Sequence, residues 1–229
     1  MDFSAIQSKV RDYLVDLPTE TNALVADWVN HALRTVQDRH NFRAMEAQAD
    51  FVTVADARVL GAKPSDWKEF RLLPWLETAD GATREIRWAS SISEMVRGFG
   101  VSSDHDTGTP RALLETPTEL HVWPLPDGRS QWGDGEYRLR VPYWRFLPPM
   151  TAGATESFFT RDMGWALVFL AVADGMIFNR EEERAAVFIS KAEQEIGRAV
   201  GLDRRSRIGE RQTLHVNRMF SQRRRVMWR

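Results

Sequence analysis

The chain has 229 residues, of which 43% are hydrophobic and 28% are charged, so it can bury a core and is not expected to be disordered. It has no cysteine, which excludes disulfides, thiolate metal sites and a cysteine nucleophile and favours synthesis in a reducing cytoplasm. No apolar run approaches the roughly 18 residues that span a bilayer, so no membrane contact is expected.

The net charge of −1 hides an uneven distribution. Residues 201–229 hold nine arginines against Asp203 and Glu210, a net charge of +7, whereas the first 200 residues carry a net charge of −8. An acidic body with a basic tail indicates that the tail meets an anionic surface.

Two amphipathic helices are predicted at the N-terminus. The first, over 3–15, places Phe3, Ile6, Val10 and Leu14 on one stripe; Asp2 can cap it, and Pro18 should end it. The second, over 20–40, repeats apolar residues at three- and four-residue spacing, with Thr19 or Thr21 as its cap.

The middle of the chain alternates at the two-residue period of a strand. This pattern appears at 51–54, 84–88, 119–123 and 137–141, and Pro, Gly and Asp clusters separate the runs. It predicts an antiparallel sheet of short strands. One short helix is expected inside it at 91–99, where Ser91 and Glu94 fit a capping box.

Helical periodicity returns from about residue 157. One helix is expected to cover 158–173 and a second 181–200, with Glu181, Glu182 and Glu183 at the positive end of its dipole and Gly201 as its C-cap. The last 28 residues show no clear apolar period and are expected to be extended.

The predicted fold is therefore α+β and mainly helical. A helical bundle is expected from residues 1–45 and 157–200, with a β-rich insertion at 46–156 and a basic C-terminal arm at 201–229.

This layout resembles the head–tail connector adaptors of tailed bacteriophages, the subunits of the neck ring that docks on the portal. Three regions carry the resemblance: residues 28–46 resemble the family's N-terminal helix, residues 120–144 its strand, proline-rich turn and strand ending in paired aromatics, and residues 158–199 its closing helix pair. The segment 57–82 and the turn at 132–135 depart from the pattern.

The resemblance implies a virion protein of the neck, made in the host cytoplasm and needing no cofactor. It would form a ring, expected to have twelve copies, that binds the portal protein and the next neck or tail protein. DNA would pass through its channel without sequence-specific binding, and an acidic body suits that role because basic side chains would hold phosphate.

Two sets of residues are expected to make these contacts. The portal-docking arm is predicted to use Arg204, Arg205, Arg207, Arg211, Arg218, Phe220, Arg223, Arg224, Arg225 and Trp228. Arginine and tryptophan are both enriched at protein interfaces. Three tryptophans in loop-like surroundings are candidates for subunit contacts: Trp67, Trp75 and Trp132.

The sequence contains fragments of enzymatic motifs, but each is explained better as part of an ordinary loop or helix. The sequence Asp106-Thr107-Gly108-Thr109 matches the aspartic protease turn but follows a polar stretch, and a single copy would act only in a dimer. Asp104, Asp106 and Glu115 match a calcium loop that lacks its required glycine. The five histidines form no zinc-hydrolase pair, and no phosphate loop or nucleophile elbow occurs.

The sequence thus predicts a structural protein and not an enzyme. The alternatives are a nucleic-acid-binding protein that uses the arginine-rich tail on phosphates, and a dimeric aspartic protease that Asp106→Asn would inactivate.

Overall fold

The computed structural model describes residues 1–15, 23–77, 83–91, 93–94, 107–127, 137–151 and 157–226, with side chains as far as Arg205. The chain divides into two compact units. The helical unit comprises Met1–Ala44 and Pro148–Arg229, and the sheet unit comprises Met45–Leu147.

In the described residues, the helical unit has five α-helices. They are α1 (Phe3–Tyr13), α2 (Val25–Arg39), α3 (Phe158–Asp162), α4 (Gly164–Phe178) and α5 (Glu182–Val226). The predicted cap of α1 is confirmed, since the carboxylate of Asp2 accepts a hydrogen bond from the backbone N–H of Ala5 at 2.7 Å. Helix α2 begins at Val25 without a side-chain cap; Pro18, Thr19 and Thr21 lie outside the described residues.

Helix α4 is the centre of the helical unit. Apart from Asp174 it is apolar around its circumference, and it packs against α1, α2 and α5, as expected of a helix that is buried on most sides. Gly175 allows the close approach of its neighbours, because a Cβ there would lie 2.6 Å from the Leu14 side chain and 3.1 Å from the Trp28 ring.

A tight turn joins α4 to α5. Arg180 adopts a left-handed conformation with φ of 64°, and its N–H donates to the carbonyl of Ile177 at 2.9 Å. The N–H of Glu181 donates to the carbonyl of Met176 at 2.8 Å. These bonds satisfy the last carbonyls of α4, in a position where glycine is the usual residue.

The prediction that the second closing helix ends at Gly201 and continues as an extended tail is wrong. Helix α5 runs without interruption through Gly201 to Val226. A single glycine inside a helix costs only about 1 kcal/mol relative to alanine, and arginine, glutamine and leucine, which follow it, favour helix. The absence of an apolar period was therefore not evidence for an extended backbone.

Eleven short strands are found in the part of the sheet unit that the structure describes. They are β1 (Glu46–Val52), β2 (Val59–Ala62), β3 (Trp67–Phe70), β4 (Trp75–Glu77), β5 (Thr83–Glu85), β6 (Arg87–Ala89), β7 (Thr107–Gly108), β8 (Ala112–Glu115), β9 (Glu119–Trp123), β10 (Leu125–Pro126) and β11 (Arg138–Arg145).

Two sheets organise this unit. One has the order β1-β11-β4-β5, with β3 also paired to β11, and the other has the order β2-β9-β8-β6. Most pairs are antiparallel, as predicted, but β6 pairs with β8 and β7 with β10 in parallel. Both sheets contribute to one buried cluster: Leu60, Leu76, Ile86, Leu113, Leu120, Val122, Tyr137, Leu139 and Val141.

The fold class is therefore α+β, as predicted, although the share of strand makes it a mixture of helices and antiparallel sheets and not a mainly helical fold. The described part of the chain has no helix long and apolar enough to cross a membrane.

Candidate docking arm and interaction surfaces

The predicted docking arm is the C-terminal half of α5. Arg204 and Arg205 are exposed on this helix. The positions of Arg207, Arg211, Arg218, Phe220, Arg223, Arg224 and Arg225 follow on the same helical backbone, whereas Trp228 lies outside the described residues.

Helical geometry orders these arginines in a way that the sequence pattern alone did not show. At 100° per residue, five positions fall within one sector of about 60° around the helix axis. We call them the arginine sector: Arg204, Arg207, Arg211, Arg218 and Arg225. The positions of Arg205, Arg223 and Arg224 lie outside it.

The root of the arm is fixed by a buried carboxylate. Asp203 is only 5% exposed, and its Oδ1 accepts a hydrogen bond from the backbone N–H of Arg43 at 3.0 Å. Its Oδ2 lies 3.7 Å from Nε2 of His40. The ring of His40 meets Phe42 edge to face. Phe42 is fully buried against Phe158 and Phe159, so α5 is held to the core just before the arginine sector begins.

Sequence reasoning treated Asp203 only as a charge to be subtracted from the arm. One feature of the sequence could have indicated its role: Asp203 is one of only two acidic residues among the nine arginines of residues 201–229. A buried carboxylate requires hydrogen-bond donors, and the segment after α2 supplies them.

Two of the predicted interface tryptophans lie in strands and not in loops. Trp67 belongs to β3, where its ring stacks on Tyr143 at a centroid distance of 4.6 Å. Its Nε1 donates to Glu115 at 3.1 Å. Trp75 is half-buried in β4, and Trp132 lies outside the described residues. Trp67 therefore packs within its own unit, and a contact with another subunit stays a prediction for all three.

Tyr143 on β11 is held to the turn before β3 by a partly buried hydrogen bond. Its hydroxyl donates to the carboxylate of Asp66 at 2.9 Å. Burial, helped by the hydrogen bond and by the negative charge of Asp66, raises the pKa of Tyr143 to about 12. Burial likewise raises the pKa of Tyr137. Both phenols therefore act as neutral donors in the fold.

An open groove of about 710 Å³ lies on the sheet unit, lined in part by Phe70, Trp88 and the carboxylates of Glu94 and Glu115. The Ser90 hydroxyl and backbone N–H both donate to Glu94, and they lower the pKa of that carboxyl group. Lys63 pairs with Glu115 at 2.9 Å. Each carboxylate is already held by donors of its own unit, which leaves no paired acid and base.

The sequence motifs for catalysis and metal binding are not assembled in the described residues. Asp104 and Asp106 lie outside them, and Thr107–Gly108 forms the small parallel strand β7. His31 pairs with Asp174 at 2.7 Å. Over the part of the chain that the structure describes, no three His, Asp or Glu side chains are grouped to hold a metal ion.

The sequence matches a protein-family model over most of its length. The family model described as SU10 adaptor protein matches residues 1–216, which include both compact units and the first part of the arginine-rich helix. No curated protein matches the chain. Because the match covers nearly the whole sequence, the chain belongs to the SU10 adaptor protein family, a family of phage head–tail adaptors.

Proposed function

We propose that this protein is a subunit of a ring beneath the portal in the neck of the virion, and that the C-terminal half of α5 docks on the portal protein. The family match supports the adaptor role. The arginine sector is the observation that carries the docking proposal, because it concentrates cationic positions along one side of a helix that is anchored at its root.

The chemistry of arginine favours an acidic protein surface as the partner of this sector. A guanidinium group binds a carboxylate through two parallel hydrogen bonds and stays charged at any physiological pH. A row of such groups at three-, four- and seven-residue spacing fits a row of carboxylates on a folded surface. Such a fit requires each arginine to lie opposite its own carboxylate.

The rest of the chain suits a channel through which DNA moves. Its net charge of −8 repels phosphate. A ring whose bore is lined by this acidic body would extend the DNA channel without holding the DNA. The ring would then present its other end to the next neck or tail protein, and twelve copies remain the expected number.

Co-sedimentation of the purified chain with its cognate portal tests the docking proposal. A chain truncated after Arg205 keeps the Asp203 anchor, whereas a cut after Gly201 would remove it and loosen the helical unit. We expect the full-length chain to bind the portal and the truncated chain to lose binding while its thermal unfolding stays unchanged.

A matched pair of triple variants sharpens the test. One variant replaces Arg207, Arg211 and Arg218 in the sector with Gln, and the other replaces Arg205, Arg223 and Arg224 outside it. The two variants have the same net charge. We expect the sector variant to lose at least tenfold in portal affinity and the control variant to lose much less.

The alternative function is nucleic-acid binding by the tail, which the nine arginines in residues 201–229 favour. It predicts no difference between the two triple variants. Non-specific phosphate binding depends on total charge, so both triple variants would weaken DNA binding equally. Its logarithmic salt slope would be about −0.9 for each phosphate contacted. DNA binding of that kind, without portal binding, would replace the adaptor-docking proposal.

A further inference from the structure

The helical unit exposes an aromatic surface where α1, α4 and α5 meet. We call it patch A: its centre is formed by Tyr13, Trp165, Phe169 and Phe188, and the exposed Val187, next to Phe188 in sequence, lies at its edge. Three of these side chains are exposed, at 43%, 40% and 53% for Tyr13, Trp165 and Val187. The rings contact one another, with centroid distances of 5.6 Å for Tyr13 to Phe188 and 5.7 Å for Trp165 to Phe169. Such a continuous apolar surface indicates a protein contact.

A second apolar surface lies at the other end of α4. We call it patch B, and it consists of Trp28, Ile177 and Phe178. Ile177 is 48% exposed and Phe178 is 58% exposed. The rings of Trp28 and Phe178 contact each other at a centroid distance of 6.0 Å.

The two patches lie on opposite sides of α4. Trp165 and Phe178 are separated by thirteen positions on the same helix, which is about 20 Å along the axis and about 140° around it. By the same geometry Phe169 lies about 40° from Trp165 and Asp174 about 40° from Phe178, whereas Ile177, next to Phe178 at the end of the helix, lies about 100° from it. One compact unit therefore carries two different apolar surfaces that face away from each other.

The two patches also carry opposite charges. In patch A the ammonium group of Lys191 lies over the rings of Phe188 and Phe169, 5.1 Å and 5.9 Å from their centroids. Beside patch B, one turn before Phe178, the carboxylate of Asp174 pairs with His31 on α2 and keeps 26% of its side chain exposed. A lysine held over an aromatic face is well placed to meet such a carboxylate.

We propose that patch A of one copy of this chain docks on patch B of the next copy, with Lys191 opposite Asp174. Contacts between two different surfaces of identical subunits are the kind that close a ring. The inference rests on the proposed ring function and specifies the surfaces that build it. A second copy is the occupant because the complementary surface, apolar with the opposite charge, is present on the same unit.

Cysteine cross-linking tests this contact, because the chain has no cysteine of its own. One variant carries Val187→Cys in patch A, and a second carries Ile177→Cys in patch B with a mass tag. We expect an equal mixture to give a mixed disulfide dimer at least tenfold faster than either variant alone. Leu72→Cys, exposed on the sheet unit, replaces Ile177→Cys in the control mixture and should give only background.

A charge exchange tests the pairing of the two charged residues. Lys191→Glu added to the patch A variant, or Asp174→Lys added to the patch B variant, should each lower the cross-linking rate about fivefold. The mixture that carries both changes should recover to within about twofold of the original. Lys191 is exposed, whereas Asp174 is partly buried and pairs with His31, so thermal unfolding of each variant checks that it is folded.

The reaction is run with the free chain and with the chain bound to portal. Mixed dimers at background rate in both states would overturn the inference, and so would dimers of the patch A variant with itself, which indicate a two-fold contact. Protection of either patch by the next neck protein instead of a second copy would also overturn it. Portal binding is scored separately by co-sedimentation, so a mixed dimer without portal binding refutes the docking proposal and leaves this contact standing.

Discussion

Replacing Gly201 with alanine gives a direct test of the helical arm, because the two possible backbones predict opposite signs. A glycine that ends a helix in the left-handed conformation cannot be replaced without strain. A glycine inside a helix, by contrast, is less favourable than alanine.

The structure places Gly201 inside α5 with open space around it. A Cβ at this position would have no heavy atom within 4 Å. Alanine should therefore increase the free energy of unfolding of the helical unit by about 0.5–1 kcal/mol. For a unit of this size, that corresponds to a rise of roughly 2–4 °C in Tm.

The assay is urea or thermal unfolding of the full-length chain, followed by far-ultraviolet circular dichroism. Gly197→Ala is the matched control, since Gly197 also lies in α5 and also has open space around it. Gly197 precedes the end of the helix in either interpretation, so its substitution should stabilise the chain in both.

A decrease in stability of about 1 kcal/mol for Gly201→Ala, together with an increase for Gly197→Ala, would refute the reasoning. That pair of results would show that α5 ends at Gly201. The arginine sector would then have no structural basis, because its members share one side only on a continuous helix.

Substitutions at three further positions test separate contacts. Arg180→Gly should stabilise the helical unit by about 1 kcal/mol, because a side chain at φ of 64° is strained; a decrease in Tm would contradict this. Asp203→Ala should destabilise it by about 2 kcal/mol and Asp203→Asn by less, because Asn keeps an acceptor for the N–H of Arg43; equal losses in denaturant unfolding would show that the acceptor is unimportant. The pKa of Tyr143 is raised to about 12 from 10.0. The stability that its protonated phenol gives to the fold is therefore complete below pH 10 and is lost as pH rises through 12. In the Tyr143→Phe chain, the free energy of unfolding should fall less across this pH window than in the parent chain, by a difference of up to about 3 kcal/mol. Identical pH profiles would refute the raised pKa of Tyr143.

Periodicity predicted the elements whose buried faces are regular. The stripe of α1 and its Asp2 cap are confirmed, and β9 covers the predicted residues 119–123, with Leu120 and Val122 buried and Glu119 and His121 half-exposed. In these elements the hydrophobic period of the sequence matches the burial pattern set by tertiary packing, so the period alone predicts the element.

The sequence was less informative where tertiary contacts decide the outcome. Residues 84–88 alternate like one strand, yet Ile86 separates β5 from β6, and the two strands belong to different sheets. Trp67 has loop-like surroundings in the sequence, but stacking on Tyr143 and the hydrogen bond to Glu115 hold it in β3. Neither partner is near in sequence, so no local pattern shows them.

The candidate docking arm, too, could be predicted from the sequence only in part. Composition alone indicated a basic segment that meets an anionic surface, but the arrangement of its charges depends on the backbone. An extended segment from Arg204 to Val226 would spread its arginines over about 75 Å with no common side. The helix confines them to about 35 Å and places five of the arginine positions in one sector.

The helical arm also narrows what its partner must look like. An extended, frayed arm pays a large ordering cost when it binds and can follow almost any surface. A helix that is already formed and anchored through Asp203 pays much less, but it can meet only a surface that is complementary along one side. The affinity should therefore depend on which arginines are present and not only on how many, and this dependence separates a fixed portal surface from the uniform phosphate backbone of DNA.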